Sequence, residues 1–431
     1  MTSLTSLSLL TGAFPIAIIV AGILGGLWLL IVGARTHLIA VVVVAACTAL
    51  LTAALYVVVE KVWRPIGDPI GLTIYASIAM AALAVALGVF QIVSARRRIG
   101  VAVVSIVAAA AVVLAAGVHV NGVYAAYPTV GTALGVDSTD FIELGALHDR
   151  AAVTGKPLSG VWLPPAGLPD GGKIVNTPIA GLTSGFGARN ALIYLPPAYF
   201  ADPRPLLPVL VLLAGQPGSP RDWLVGGQLV QAFDDYARDH QGLAPVVVIA
   251  DGTGSELANP LCMNSALGNA ANYLATDVPQ WIRANLQVDP DPKAWAVGGL
   301  SYGGTCSLQL ATNYPQVYPT FLNLSGQDEP TLGDRQQTVN AAFSGNDAAF
   351  TEVNPLDLLR TQQFTESAGA FVAGADDEKY RSQTETMFHA AKAAGMDVHL
   401  QIAPGGHTFQ VWSTGLRDQL GWLGARLGLT G

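Results

Sequence analysis

Hydrophobic residues follow two regimes along this chain. Up to about residue 120 they form four long runs, at about 13–33, 38–58, 70–94 and 100–118. After residue 159 they come in short bursts separated by Gly- and Pro-rich turns. Each long run approaches the roughly 20 apolar residues that cross a bilayer as a helix. Four in succession, with no basic stretch ahead of the first, argue against a cleaved signal peptide. The pattern predicts an all-α transmembrane domain of about four helices over 1–120. A juxtamembrane connector over 121–158 follows, with one helix near 140–150, and then a soluble domain over 159–431.

The short bursts read as buried strands at 173–177, 190–194, 209–213, 246–250, 294–297, 320–324, 370–373 and 398–402. Helical spacing of apolar residues lies between several of them, at 227–238, 269–285 and 380–394. Strands alternating with helices predict an α/β fold with a mostly parallel central sheet.

Charge sharpens the division. Residues 1–130 carry six Lys/Arg and two acidic residues, Glu60 and Asp68, whereas the remainder carries 16 basic against 28 acidic. No basic face or aromatic-basic interleaving occurs, so nucleic acid is excluded as a partner. The short loops hold Arg35 after the first run and Arg96, Arg97 and Arg98 after the third. The loop with Lys61 and Arg64 also holds acids. The positive-inside tendency therefore puts Arg35 and Arg96 to Arg98 in the cytoplasm and everything after residue 120 outside it. On that side Cys262 and Cys306 are expected to form a disulfide, two unpaired buried thiols being the alternative. Cys47, inside the second run, reads as a small apolar filler.

In parallel α/β sheets chemistry gathers beyond the carboxyl ends of strands. The burst at 294–297 leads into Gly299-Leu-Ser-Tyr-Gly303, a G-x-S-x-G match with a helical pattern behind it. Such a strained turn lifts a serine hydroxyl above the sheet, making Ser301 the candidate nucleophile. Its oxyanion needs two backbone N–H donors, one from the next residue, Tyr302, and one from the loop after 209–213. In that loop Pro217 has no N–H, which leaves Gln216. The strand at 370–373 ends in Gly374-Ala-Asp-Asp-Glu378, whose Asp377 is the preferred partner for a catalytic imidazole, with Asp376 the alternative. The strand at 398–402 ends in a Gly-Gly loop and His407. His389 and His399 sit within a helix and a strand pattern instead. The order Ser301, Asp377, His407 is the nucleophile–acid–base order of the α/β-hydrolase fold.

Residues 175–425 resemble the esterase family of that fold, which includes feruloyl esterases, S-formylglutathione hydrolases and secreted mycolyltransferases. The resemblance rests on Tyr194-Leu-Pro-Pro-Ala-Tyr199, the 209–216 strand and loop and Asp277-Val-Pro-Gln-Trp-Ile282. It also rests on Gly299-Leu-Ser-Tyr-Gly-Gly304, Gly374-Ala-Asp-Asp377 and Gly405-Gly-His-Thr-Phe-Gln-Val-Trp412. Its Gly-x-x-Asp pattern favours Asp377 as the acid. Ala214 stands where relatives often carry His or Asp. The soluble relatives have no counterpart of the first 120 residues.

Together these readings imply a serine esterase at a membrane, acting on lipid or cell-envelope esters through an acyl-enzyme, without metal or organic cofactor. The alternative is an acyltransferase moving the acyl group to a sugar or lipid hydroxyl. A non-catalytic scaffold is disfavoured because all three triad residues are present. A transporter is disfavoured because the apolar runs carry almost no ionisable residues.

Overall fold

A computed structural model describes residues 4–64, 69–94, 98–136 and 139–431. Asp68, Arg96 and Arg97, used above for orientation, lie outside the described residues. The chain divides into two compact units, Met1–Asp137 and Ser138–Gly431.

Among the described residues of the first unit three helices, rather than four, are long and apolar enough to cross a membrane: Ala13–Trp63, Leu72–Ser94 and Ile99–Tyr124. We call their α-helical parts α1 (Ala13–Val57), α2 (Leu72–Ser94) and α3 (Ile99–Tyr124). The first two apolar runs share α1, which breaks at His37 with non-helical φ −150° and ψ 62°. A Cβ placed on Gly33 would lie 2.8 Å from Val41 Cγ2. Eight residues of straight helix rise about 12 Å, so the two arms turn sharply on each other. Small residues let α1 and α3 approach closely: a Cβ on Gly22 would meet Ala115 Cβ at 2.3 Å, and one on Gly25 the Ala108 carbonyl at 2.8 Å. The buried Gln91 of α2 donates to the Leu29 carbonyl (2.6 Å) and accepts from the Ser105 hydroxyl (3.0 Å). The outer surfaces stay apolar, with Leu50, Leu51 and Val93 exposed, as on helices that face lipid.

The second unit is built on a nine-stranded sheet. In chain order its strands are β1 (Phe141–Ile142), β2 (Lys173–Thr177), β3 (Ala191–Leu195), β4 (Val209–Leu213), β5 (Val246–Ala250), β6 (Trp295–Leu300), β7 (Thr320–Leu324), β8 (Ala368–Gly374) and β9 (Asp397–Ala403). Their order across the sheet is β1-β2-β3-β5-β4-β6-β7-β8-β9. Only β3 runs antiparallel to its neighbours. Strands β4 to β8 are buried at every position, as strands covered on both faces must be. The edge strand β9 is more open, which a strand paired on one side tolerates. Helices α4 (Leu229–Asp239), α5 (Tyr302–Asn313), α6 (Glu378–Ala393) and α7 (Phe409–Arg426) flank the sheet. On α4, Leu229, Ala232, Phe233, Tyr236 and Ala237 form the buried stripe that helical periodicity dictates.

Two expectations need correction. Residues 121–158 are not a free connector, because Tyr124 still belongs to α3 and Thr129 pairs with Ser8 in the first unit. Residues 139–158 already belong to the second unit, which therefore starts before residue 159. The helix expected near 140–150 is instead β1, added parallel to β2, followed by a short 3-10 turn at Leu144–Ala146. Pairing to an available sheet edge overrides the weak local pattern there.

Candidate active site

The site lies where β6 turns into α5. Ser301 sits on that turn at φ 53° and ψ −116°, a region that side chains occupy only when the surroundings impose it. The glycines beside it make the turn sterically possible. A Cβ on Gly299 would lie 2.3 Å from the Gly303 carbonyl carbon, and one on Gly303 would lie 2.3 Å from the Leu213 carbonyl oxygen. The first turn of α5 therefore rests directly on the end of β4. The Ser301 N–H donates to Leu324 O (2.8 Å), and the Ser301 carbonyl accepts from Thr305 N–H (3.0 Å).

Asp377 and His407 come from the ends of β8 and β9, and backbone contacts hold their two loops together. Ala375 N–H donates to Ala403 O (2.8 Å) and Asp376 N–H to Gly405 O (2.9 Å). A Cβ on Gly374 would meet the Gly405 and Gly406 carbonyls at 2.4 and 2.6 Å. Across this junction His407 Nδ1 lies 2.7 Å from Asp377 Oδ2 and its Nε2 lies 2.9 Å from Ser301 Oγ. A carboxylate only accepts, so Nδ1 carries the proton and the Ser301 hydroxyl donates to Nε2. Asp377 is buried, whereas Asp376 points to solvent. Tyr380 stacks on the imidazole with ring centroids 3.9 Å apart, and Trp412 meets it edge-on at 4.8 Å. These rings limit the imidazole's freedom to rotate.

The residues expected to bind an oxyanion flank the serine. Tyr302 is the first residue of α5, where a backbone N–H has no acceptor within its own helix. Gln216 lies in the loop after β4, and a Cβ on the preceding Gly215 would come within 3.6 Å of Ser301 Cβ. The Gln216 side chain donates to Leu257 O (2.8 Å). The Tyr302 phenol accepts from Cys262 N–H (2.9 Å) and donates to Gly252 O (3.0 Å). Burial pushes its pKa up, so the phenol stays neutral and can donate. Cys262 and Cys306 are joined in a disulfide with Cα atoms 5.4 Å apart, fastening the Cys262 loop to α5.

Sequence reasoning missed Arg189 and Asp251. Asp251 directly follows β5 and so stood at a strand end open to search. Arg189 carries no local signal, since the pair forms across 62 residues. The guanidinium contacts both Asp251 oxygens (3.0 and 2.8 Å), and the Arg189 N–H donates to Oδ2 (2.7 Å). Burial pushes the Asp251 carboxyl up, but the Arg189 bonds and charge and the Thr253 N–H outweigh it. They hold the carboxyl below the ordinary aspartate range.

Comparison with known proteins gives this geometry a family context. A family model described as Putative esterase matches residues 187–423. An uncharacterized protein of Corynebacterium glutamicum is 38% identical over 401 residues, covering 89% of this chain and 88% of that protein. A diacylglycerol acyltransferase/mycolyltransferase, Ag85C of Mycobacterium avium, is 31% identical over 201 residues, 42% of this chain and 51% of its own length. Among solved structures a ferulic acid esterase superposes with TM-score 0.52 at 16% identity, covering 60% of this chain and 99% of that one. That likeness establishes the shared α/β-hydrolase fold.

Proposed function

The chain belongs to the Putative esterase family, and from that premise we propose that it is a membrane-anchored serine esterase cleaving carboxylic esters of lipids or cell-envelope components. The observation that carries this reading is the continuous hydrogen-bond chain from Ser301 Oγ through His407 to Asp377, at 2.9 and 2.7 Å, on a strained elbow.

In the proposed reaction His407 Nε2 takes the Ser301 proton as Oγ bonds to the ester carbonyl carbon. The Gln216 and Tyr302 N–H groups hold the resulting oxyanion. The tetrahedral intermediate collapses, the ester C–O bond breaks, and the imidazolium returns the proton to the leaving alcohol. Water, deprotonated by His407, then releases the acid and regenerates Ser301. Asp377 stabilises the imidazolium without taking its proton. A second reading, transfer of the acyl group to a sugar or lipid hydroxyl, is favoured by the similarity to the mycolyltransferase of M. avium.

The proposal extends to placement. The break at His37 separates two arms of α1 that we read as two passes, giving four in all. The second unit then stands outside the cytoplasm, where a structural disulfide persists. An anchor there raises the local concentration of envelope esters without itself selecting among them.

Fluorophosphonate labelling of the full chain in detergent, with Ser301→Ala as the control, tests the chemistry. We expect labelling of the native chain and none of the variant; labelling of both, or of neither, sinks the serine mechanism. Product analysis with a lipid ester, in water and with added trehalose as a sugar acceptor, then separates hydrolysis from transfer.

A further inference from the structure

Resting on this reading of the site, we propose that Arg189, held by Asp251, is a positioning residue for the oxyanion hole. It acts by fixing the loop that carries Gln216. The guanidinium reaches three residues on two segments, Asp251 and Thr253 after β5 and Gly218 in the loop after β4. Its Nε and one Nη grip Asp251, while the same Nη2 donates to Thr253 Oγ1 (2.8 Å) and to the Gly218 carbonyl (2.8 Å). Gly218 closes the loop that begins at Gly215, for a Cβ on Gly218 would meet Gly215 O at 2.7 Å. Pulling on Gly218 O therefore sets where the Gln216 amide stands.

The anchor itself is rigid. Asp251 is 1% exposed, and its carboxylate accepts from the Arg189 side chain and backbone and from Thr253 N–H and Oγ1. The planar fork of an arginine suits such a multi-point grip, which a lysine ammonium does not reproduce. Two further bonds tie the same loops together: Gly218 N–H donates to Glu256 O (3.1 Å) and Gln216 Nε2 to Leu257 O (2.8 Å).

The second oxyanion donor is fixed to the same stretch of chain. Tyr302 donates through its phenol to Gly252 O and accepts from Cys262 N–H. The segment from 251 to 262 thus frames both donors, with Arg189 clamping one side and the Tyr302 phenol the other. An oxyanion hole works only if its donors keep a fixed spacing through the reaction, so a relaxed clamp should weaken the transition state and leave the bound ester untouched.

The test uses the full chain in detergent micelles, with p-nitrophenyl butyrate as substrate and an alkylboronic acid as tetrahedral anionic analogue. Arg189→Lys keeps the charge opposite Asp251 but loses the two-point grip on that carboxylate and the Nη2 bond to Gly218 O. We expect kcat to fall about 10- to 100-fold, below the roughly 10²–10³ of losing a whole donor. KM should stay within about twofold, boronate affinity should fall in parallel with kcat/KM, and the melting temperature should change little. A merely structural role would lower the melting temperature and spare boronate affinity. That result, or unchanged kcat in a folded variant, overturns the inference. Should Arg189→Lys not fold, Thr253→Val keeps the ion pair and loses one bond to the guanidinium. It then carries the same comparison, with a smaller parallel loss in kcat and boronate affinity expected and none overturning the inference. Labelling of the native chain at Ser301 is read separately: its absence defeats the serine mechanism itself, whereas native labelling with unaffected variants defeats only the role of Arg189.

Discussion

A serine held at φ 53° costs about 1–3 kcal/mol relative to a relaxed backbone, so the surrounding residues must impose it. Gly299 and Gly303 permit it by leaving no side chain where strand and helix nearly touch, and the Ser301 N–H bond to Leu324 O holds it. The same logic decides between the adjacent aspartates. Asp377 is buried against His407 Nδ1, whereas Asp376 faces water and lends only its backbone N–H to the Gly405 carbonyl. Asp377→Asn should lower kcat about 10³- to 10⁴-fold, since an amide in place of the carboxylate favours the wrong imidazole tautomer. Asp376→Asn should stay within about twofold. Steady-state rates of the two variants check this, and equal losses would reassign the acid. Gly374→Ala tests the contact between the Asp377 and His407 loops. Its Cβ would press against two carbonyls of the His407 loop at 2.4 and 2.6 Å. It should destabilise the fold by about 1–3 kcal/mol, read from the urea midpoint, and slow the reaction by displacing His407.

At the scale of elements, the parts that burial dictates were legible in the sequence. Strands β4 and β5 fall where short apolar bursts stand between turns, because a strand covered on both faces is nearly continuously apolar. The ends of β6, β8 and β9 carried Ser301, Asp377 and His407, so a search of strand ends reached all three. What was not legible depends on distant partners. β1 exists because β2 offers an edge, and Arg189 finds Asp251 only after the sheet has formed. The break at His37 falls in the polar Arg35-Thr36-His37 stretch between the first two apolar runs, and what hydropathy could not show is that the two arms join there without a loop. The Cys262–Cys306 link is a further element-scale constraint. It closes a span of 44 residues, for which loop-closure entropy gives about 4 kcal/mol. Replacing both cysteines by alanine should lower stability by a sizeable part of that amount. Denaturation with and without a reductant checks it: the native protein should lose stability on reduction and the double variant should not respond. In the first unit, Gly25→Leu would force α1 from the Ala108 backbone, and it should reduce thermal stability in detergent while sparing labelling at Ser301.

The whole molecule joins an apolar helical unit to an acidic one, and each answers to a different solvent. In the second unit, burial disfavours charge on Asp251 and Asp277, yet both carboxyls lie below the ordinary range. The Arg189 and Thr253 bonds offset burial for the first, and Ser184 and Thr183 offset it for the second. A carboxyl whose folded pKa is depressed adds stability that is present above the unfolded value, about 4, and is lost as pH falls through the folded value. Stability of the second unit should therefore drop as pH is lowered from about 4 toward 2, and Asp251→Asn should flatten that limb of a melting-temperature profile. Orientation is the remaining whole-molecule question, and it has a sharp test. The basic residues Arg35 and Arg98 lie at turns that the proposed four-pass arrangement puts on one side, and the second unit, with its disulfide, falls on the other. Alkaline phosphatase fused after residue 130 should be active, because it matures only outside the cytoplasm, while a fluorescent cytoplasmic reporter at the same site should be dark. Fusions after residue 36 should give the reverse pattern. A fusion after 130 that is active only as the cytoplasmic reporter would place Ser301 inside the cell, away from the outer envelope esters. An inactive phosphatase after 36 together with an active one after 130 would fix an odd number of passes between the two sites, with the His37 break on the cytoplasmic side.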